Sequence, residues 1–141
     1  MSAVFEVHRE QGGGLLEEIY QESLENELST RGITFSAKEE LAVLYKGRRL
    51  RKTYIPDLFV AEGIMVELKA VKALLAEHEA QLLNYMRITR TKVGYLINFA
   101  PVDRVEWRRY VVTETGIPLT ERNSETHEQD GTASRSSISV P

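Results

Sequence analysis

The chain has 141 residues, 42% hydrophobic and 28% charged, which suits one globular domain and is too short for two ordinary ones. It has no cysteine, which excludes disulfides, zinc-thiolate centres and cysteine nucleophiles and fits a cytoplasmic protein that rests on its own core. The net charge of −3 is uneven: residues 1–112 carry 16 basic and 16 acidic side chains and residues 113–141 carry 2 and 5, so bulk charge makes no case for nucleic acid although local clusters still can.

Residues 1–10 lack the basic-then-apolar plan of a signal peptide, and no apolar run approaches the roughly 18 residues of a membrane span. A short first helix is expected, ending at the turn Gly12-Gly13-Gly14. Residues 15–31 read as a second helix with Leu16, Ile19, Tyr20, Leu24 and Leu28 on one stripe, stopped by Gly32. A weak strand is expected at 33–36. Strands at 40–45 and 49–54 flank the hairpin turn Lys46-Gly47-Arg48. Strands at 57–60 and 64–68 flank Glu62-Gly63. A helix over 74–89, an apolar strand over 93–99 and a strand over 105–112 complete the series. This order predicts a mixed α/β domain over 1–112, one central sheet flanked by helices. Residues 113–141 are rich in Ser, Thr, Glu and Gly. They carry too little apolar surface to offset the entropy of ordering, so a disordered polar, acidic tail is expected.

The chemistry concentrates on Pro56-Asp57 and Glu67-Leu68-Lys69. Glu67 and Lys69 stand two apart on a strand and so share a face. A hairpin through Gly63 places Asp57 beside them. Two carboxylates on adjacent strands suit a hard divalent ion such as Mg2+, and the Leu68 backbone carbonyl is a further candidate ligand. Such an ion activates water and stabilises charge on a phosphate, while Lys69 orients the water. A match of this kind arises by chance in roughly 3% of chains this long, so its placement on paired strands carries the weight. The competing reading is a surface Asp and a Glu–Lys pair on a solvated sheet face.

Glu17 falls in angle between Leu24 and Leu28, inside the apolar stripe, where a carboxylate is costly unless paired or metal-bound. A position at the stripe's edge, reaching water, is the alternative. On the helix after Lys69, His78, Gln81 and Tyr85 share one face. They are candidate substrate or accessory groups, as is Tyr20, against the alternative of ordinary amphipathic packing. Lys46, Arg48, Arg49, Arg51 and Lys52 cluster around the first hairpin, Arg87, Arg90 and Lys92 near the third helix's end, and Arg104, Arg108 and Arg109 later. These suit a phosphate backbone, although hairpin tips are also charged for solubility and edge protection. No phosphate-binding GxxxxGK[ST] loop or GxSxG elbow is present.

With these residues in view, the chain resembles the GxxExxY proteins, a branch of the PD-(D/E)xK nuclease superfamily. The naming motif is Gly14-Leu15-Leu16-Glu17-Glu18-Ile19-Tyr20, preceded by His8 and Glu10. YIPDLFV and IMVELKAV match the metal-binding strands, and HEAQLLNYM and GYLINF the following helix and strand. The resemblance covers residues 4–112. Gln11 stands where the family favours Leu and Gly13 where it favours Pro, a change expected to loosen the turn. The resemblance implies a restriction-endonuclease-like core and a Mg2+ or Mn2+ site of Asp57 and Glu67 joined by Glu17. It also likens Gln81-x-x-x-Tyr85 to the accessory motif of the exonuclease-like branch, where the pair lies near the metal and the DNA strand.

The expected function is metal-dependent hydrolysis of nucleic acid, DNA before RNA, by a protein acting as a homodimer or delivered by a partner and not tied to a membrane. The alternatives are a nuclease fold used for binding without turnover, and a vestigial acidic pocket in a structural protein.

Overall fold

The computed structural model of the protein describes residues 1–116 and 118–123. Helices α1 (Ser2–Gln11) and α2 (Glu17–Thr30) are followed by β1 (Phe35–Ala37), β2 (Leu41–Tyr45), β3 (Arg48–Tyr54), β4 (Leu58–Val60) and β5 (Ile64–Lys69). Then come α3 (Ala76–Thr89), β6 (Val93–Asn98), β7 (Glu106–Val112) and β8 (Pro118–Arg122). Six strands form one mixed sheet in the order β1-β4-β5-β6-β7-β8, and β2 and β3 form a separate two-stranded ribbon. Only β5 and β6 run parallel, because α3 carries the chain from the end of one to the start of the other. The expected α/β class, a central mixed sheet flanked by helices, is found. No described helix is long and apolar enough to cross a membrane.

Alternation along β5 sorts its side chains between two apolar layers. Val66 and Leu68 pack with Val4, Val7, Tyr20, Leu24 and Phe99 under α1 and α2. Met65 packs on the opposite side with Leu82 and Met86 of α3, Leu96, Tyr110 and Tyr54 of the ribbon. Glu67 and Lys69 have the parity of Met65, so they lie on the side of α3 and the ribbon.

The second helix differs from its expected stripe. Tyr20, Leu24 and Leu28 are buried with Gln21, but Leu16 is 68% and Ile19 39% exposed. Leu16 precedes the first helical residue as the cap, so helical periodicity does not govern it. A second difference lies beyond Val112. Pro118–Arg122 pairs antiparallel with β7, from Val112 opposite Pro118 to Arg108 opposite Arg122. The Asn123 side chain locks the end, accepting from the Trp107 amide at 3.0 Å and donating to the Val105 carbonyl at 2.9 Å. Main-chain pairing on an open edge needs little apolar side-chain area, which is why composition did not reveal it. The rest of the expected tail, residues 117 and 124–141, lies outside the described residues.

The triglycine turn is also firmer than expected. Gly12 and Gly14 take positive φ of 72° and 87°, while a Cβ on Gly13 would stand 2.6 Å from the Ala100 and Pro101 carbonyl oxygens. His8 Nε2 meets the same Pro101 oxygen at 2.7 Å. A Gly13→Ala chain is expected to lose about 1–3 kcal/mol, since backbone rather than a yielding side chain must move. Chemical denaturation checks this, and an unchanged midpoint would refute the close contact.

Candidate functional site

The site forms where β4 and β5 part. Their pairing runs to Leu58 opposite Val66, so Asp57 and Glu67 stand one residue beyond the last paired position. The ladder is open at Leu68, and its amide donates to Asp57 Oδ2 at 2.7 Å. The amide and carbonyl of a strand residue face the same edge, so the Leu68 carbonyl also points toward Asp57. Asp57 is itself buried, 5% exposed. Its backbone carbonyl is held by Gln21 Nε2 at 2.9 Å and the Lys38 amide at 3.2 Å.

Three charged neighbours complete the setting. The Lys38 ammonium, on a residue with φ 54° after β1, pairs with Asp57 Oδ1. Burial works against that charge, but Asp57 and, at longer range, Glu67 and Glu17 raise the lysine pKa overall. Burial first, then the Asp57 charge, raises Glu17; Lys69 and Lys38 oppose it. Burial and Asp57 likewise push Glu67 up to about 7, against the pull of the Tyr54 hydroxyl, Lys69 and the Asp57 amide. Tyr54 donates its hydroxyl to Glu67 Oε1. Its phenol pKa is raised, by burial and then by the Glu67 charge. Tyr85 of α3 stacks on Tyr54, ring centroids 3.3 Å apart and 8° from parallel.

This raised carboxyl has a measurable consequence. Glu67 lies above its ordinary 4.5 in the folded chain, so folding favours the protonated form. That contribution is full below about 4.5 and is lost as pH rises through about 7. In chelator, the wild-type melting temperature should fall relative to Glu67→Gln over this window, by about 5 °C for a loss near 2 kcal/mol. Parallel melting curves for the two would remove the argument.

The donor set fits a hard cation that keeps part of its water shell. Among the described residues no group of three or more His, Asp and Glu side chains converges closely enough to hold a metal. Two carboxylates and a carbonyl suffice for Mg2+, which keeps several waters. The Asp57 charge helps raise both Glu67 and Glu17, and the Lys38 ammonium is drawn onto Asp57, which together mark a pocket that attracts positive charge. Asp57, Glu67 and the Leu68 carbonyl are therefore brought together. Glu17 is electrically coupled to Asp57 but is not gathered into a three-carboxylate ligand cluster.

Other expected site residues fall elsewhere. Tyr20 is fully buried. It donates to the Gly12 carbonyl at 2.7 Å, accepts from the Leu15 amide at 3.0 Å and stacks on Phe99 at 4.6 Å. It therefore braces the triglycine turn. His78 Nδ1 accepts the Leu75 amide at 3.0 Å, capping the start of α3. Gln81 is exposed, one helical turn before Tyr85 on the same side of α3.

Sequence reading missed Gln21, Lys38 and Tyr54. It also missed Asn98, fully buried at the end of β6. Asn98 accepts the Val71 amide at 3.0 Å and donates to the Val71 carbonyl at 2.8 Å and Glu106 Oε2 at 3.0 Å. Glu106 in turn accepts the Leu74 amide at 3.1 Å. This network fixes the crossover that leaves Lys69. A polar residue inside the apolar run GYLINF was its only visible signal.

A family model described as the PD-(D/E)XK nuclease superfamily matches residues 1–110. No curated protein matches the chain. Among solved structures, that of SSO0001 superposes with a TM-score of 0.52 at 22% identity, over 66% of this chain and 48% of that one. The chain spans about half the length of that relative, and the likeness is one of fold.

Proposed function

We propose, because the chain belongs to the PD-(D/E)XK nuclease superfamily, that it hydrolyses phosphodiester bonds of DNA with Mg2+ or Mn2+. The observation that carries this reading is the open end of β5. There Asp57 Oδ2 takes the Leu68 amide, and the Asp57 charge helps raise the Glu67 carboxyl. Lys69 shares the strand face of Glu67. Asp57, Glu67 and the Leu68 carbonyl would hold the ion. When bound, it supplies an activated water and stabilises charge on the phosphate. Lys69 orients that water for in-line attack or balances the developing charge. Glu17 adds negative charge at the rim. Tyr54 and Gln21 hold Glu67 and Asp57 in place, and Tyr85 and Gln81 line the approach of the strand.

The motif Gly14–Tyr20 supports reading the chain as a member of the GxxExxY branch. Glu17 is then the acidic residue of the motif, and Tyr20 braces the turn that begins it. A homodimer or a delivering partner would bring so small a domain to its substrate. One observation favours the second reading, a nuclease fold that binds without turnover: Lys38 already occupies Asp57.

Incubating the protein with single- and double-stranded DNA, with Mg2+, Mn2+ or chelator, separates the two. Cleavage that depends on metal supports the nuclease. DNA binding with no cleavage under either ion would overturn it in favour of the binding module.

A further inference from the structure

Among the described residues some surface cations are ion-paired, while others make no ion pair: Lys72, Arg87, Arg90, Lys92 and Arg122, and five gathered on one ribbon. Arg9 pairs with Glu6 and Glu10, Arg31 with Glu27, Arg108 with Glu79 and Glu106, and Arg109 with Glu121. The ribbon β2–β3 is different. Lys46, Arg48, Arg49, Arg51 and Lys52 are all exposed, and none makes an ion pair among the described residues; Lys46 only lies over the Tyr45 ring at 5.5 Å. Opposing charge is absent from a structure element that could easily have carried it. Solubility alone does not call for five unneutralised cations on one ribbon.

The ribbon is also aimed. Exposure falls along β3 from Arg48, at the tip, to buried Tyr54 at the root, and Tyr54 donates to Glu67. Arg48 and Lys52 share the parity of Tyr54, while Arg49 and Arg51 lie on the other face. Beside the ribbon, a groove of about 860 Å³ separates Leu41 and Leu44 of β2 from Arg87 and Arg90 at the end of α3.

We infer that the β2–β3 ribbon is an arm that grips B-form duplex DNA through its phosphates and leads one strand to the carboxylates at its root; this rests on the nuclease reading. Duplex is favoured over single strand because a sequence-tolerant single-strand groove needs several stacking aromatics, and Tyr45 is the only aromatic on the exposed part of the ribbon. A two-stranded ribbon fits the DNA major groove, whereas the major groove of duplex RNA is too narrow to admit side chains. Six residue steps of about 3.3 Å put the tip roughly 20 Å from Tyr54. At 3.4 Å per step along a strand, the arm reaches roughly six base pairs from the site of attack.

The test is binding of the full chain to a 30-base-pair DNA duplex, the matching single strand and the matching RNA duplex. Fluorescence polarisation is followed across a salt series, in chelator so that nothing is cut. The variant carries Arg48→Gln, Arg49→Gln, Arg51→Gln and Lys52→Gln, with Arg9→Gln as the control for an ion-paired cation. The four-site variant should bind duplex DNA about 10- to 100-fold more weakly near 100 mM salt, with a shallower salt slope by up to about 3.6 in log–log terms. Arg9→Gln should match wild type, and Mg2+ binding by calorimetry should be unchanged in both. Unchanged affinity and slope in the four-site variant would overturn the arm. Tighter wild-type binding of single strand or RNA duplex would overturn the assignment to duplex DNA. Loss of Mg2+ binding or a lowered melting temperature in the variant would also count against it, since the ribbon would then be a structural prop. Failure of the nuclease reading looks different: cleavage is absent with metal, yet duplex binding still depends on the ribbon.

Discussion

Asp57→Asn should abolish measurable Mg2+ binding and reduce metal-dependent cleavage by roughly 10^3-fold, while leaving the protein folded. Losing even a group that only supports a ligand lowers metal affinity about 10- to 100-fold, and Asp57 is the buried carboxylate on which the site's other charges converge. Asparagine keeps an oxygen for the Leu68 amide, 2.7 Å from Asp57 Oδ2, so the open end of β5 stays satisfied. Lys38 loses its partner, but its side chain is 53% exposed and recovers water. Asp57→Ala differs. It strands the Leu68 amide and should cost a further ~1–3 kcal/mol of stability. Calorimetry, cleavage rates and thermal melts on the three proteins separate ligand loss from unfolding. Full Mg2+ affinity in Asp57→Asn would remove Asp57 from the site.

The two lysines should respond in opposite ways. Lys69→Met should lose roughly 10^2- to 10^3-fold in cleavage rate, the scale of removing one preorganised charge from a developing anion, without weakening Mg2+ binding. Lys38→Met should instead tighten Mg2+ binding by about 10-fold, equivalent to about 1.4 kcal/mol, because an ion approaching Asp57 no longer displaces an ammonium. Both are measured above pH 8. Each lysine lowers a carboxyl pKa, Lys69 that of Glu67 and both that of Glu17, so their loss raises the proton competition for metal at lower pH. Equal effects of the two substitutions on metal affinity and rate would show that the lysines act only as bulk positive charge. Weaker Mg2+ binding in Lys38→Met would mean that Lys38 shapes the pocket instead of competing for it.

Much of this was written into local pattern. The period of two put Glu67 and Lys69 on one face, and the apolar run Ile64, Met65, Val66 marked β5 as a buried strand. Glycine and charged residues at 46–48 and 61–63 located both hairpins to within one or two residues. Helical angle singled out Glu17, which lies on the side of α2 that carries buried Gln21, Leu24 and Leu28. Helical angle also put Tyr20 on the buried stripe and His78 beside Gln81, without revealing their hydrogen-bond partners. Helical angle says that two residues share a side but not what covers it, and those side chains were claimed by the Gly12 carbonyl and the Leu75 amide.

By itself, then, the sequence determined the strand-borne carboxylates, the lysine beside them, the class of the fold and the unusual charge of the ribbon. All of these follow from residue type and from neighbours a few positions away. Only the tertiary structure decided what holds and competes for the site: Gln21, Lys38 and Tyr54 act on residues 36, 19 and 13 positions distant. It alone decided that β8 extends the sheet, through backbone hydrogen bonds open to nearly any side chain. Contacts of this kind leave no periodic trace. Their partners become neighbours only after β4 and β5 pair and the ribbon closes against α3.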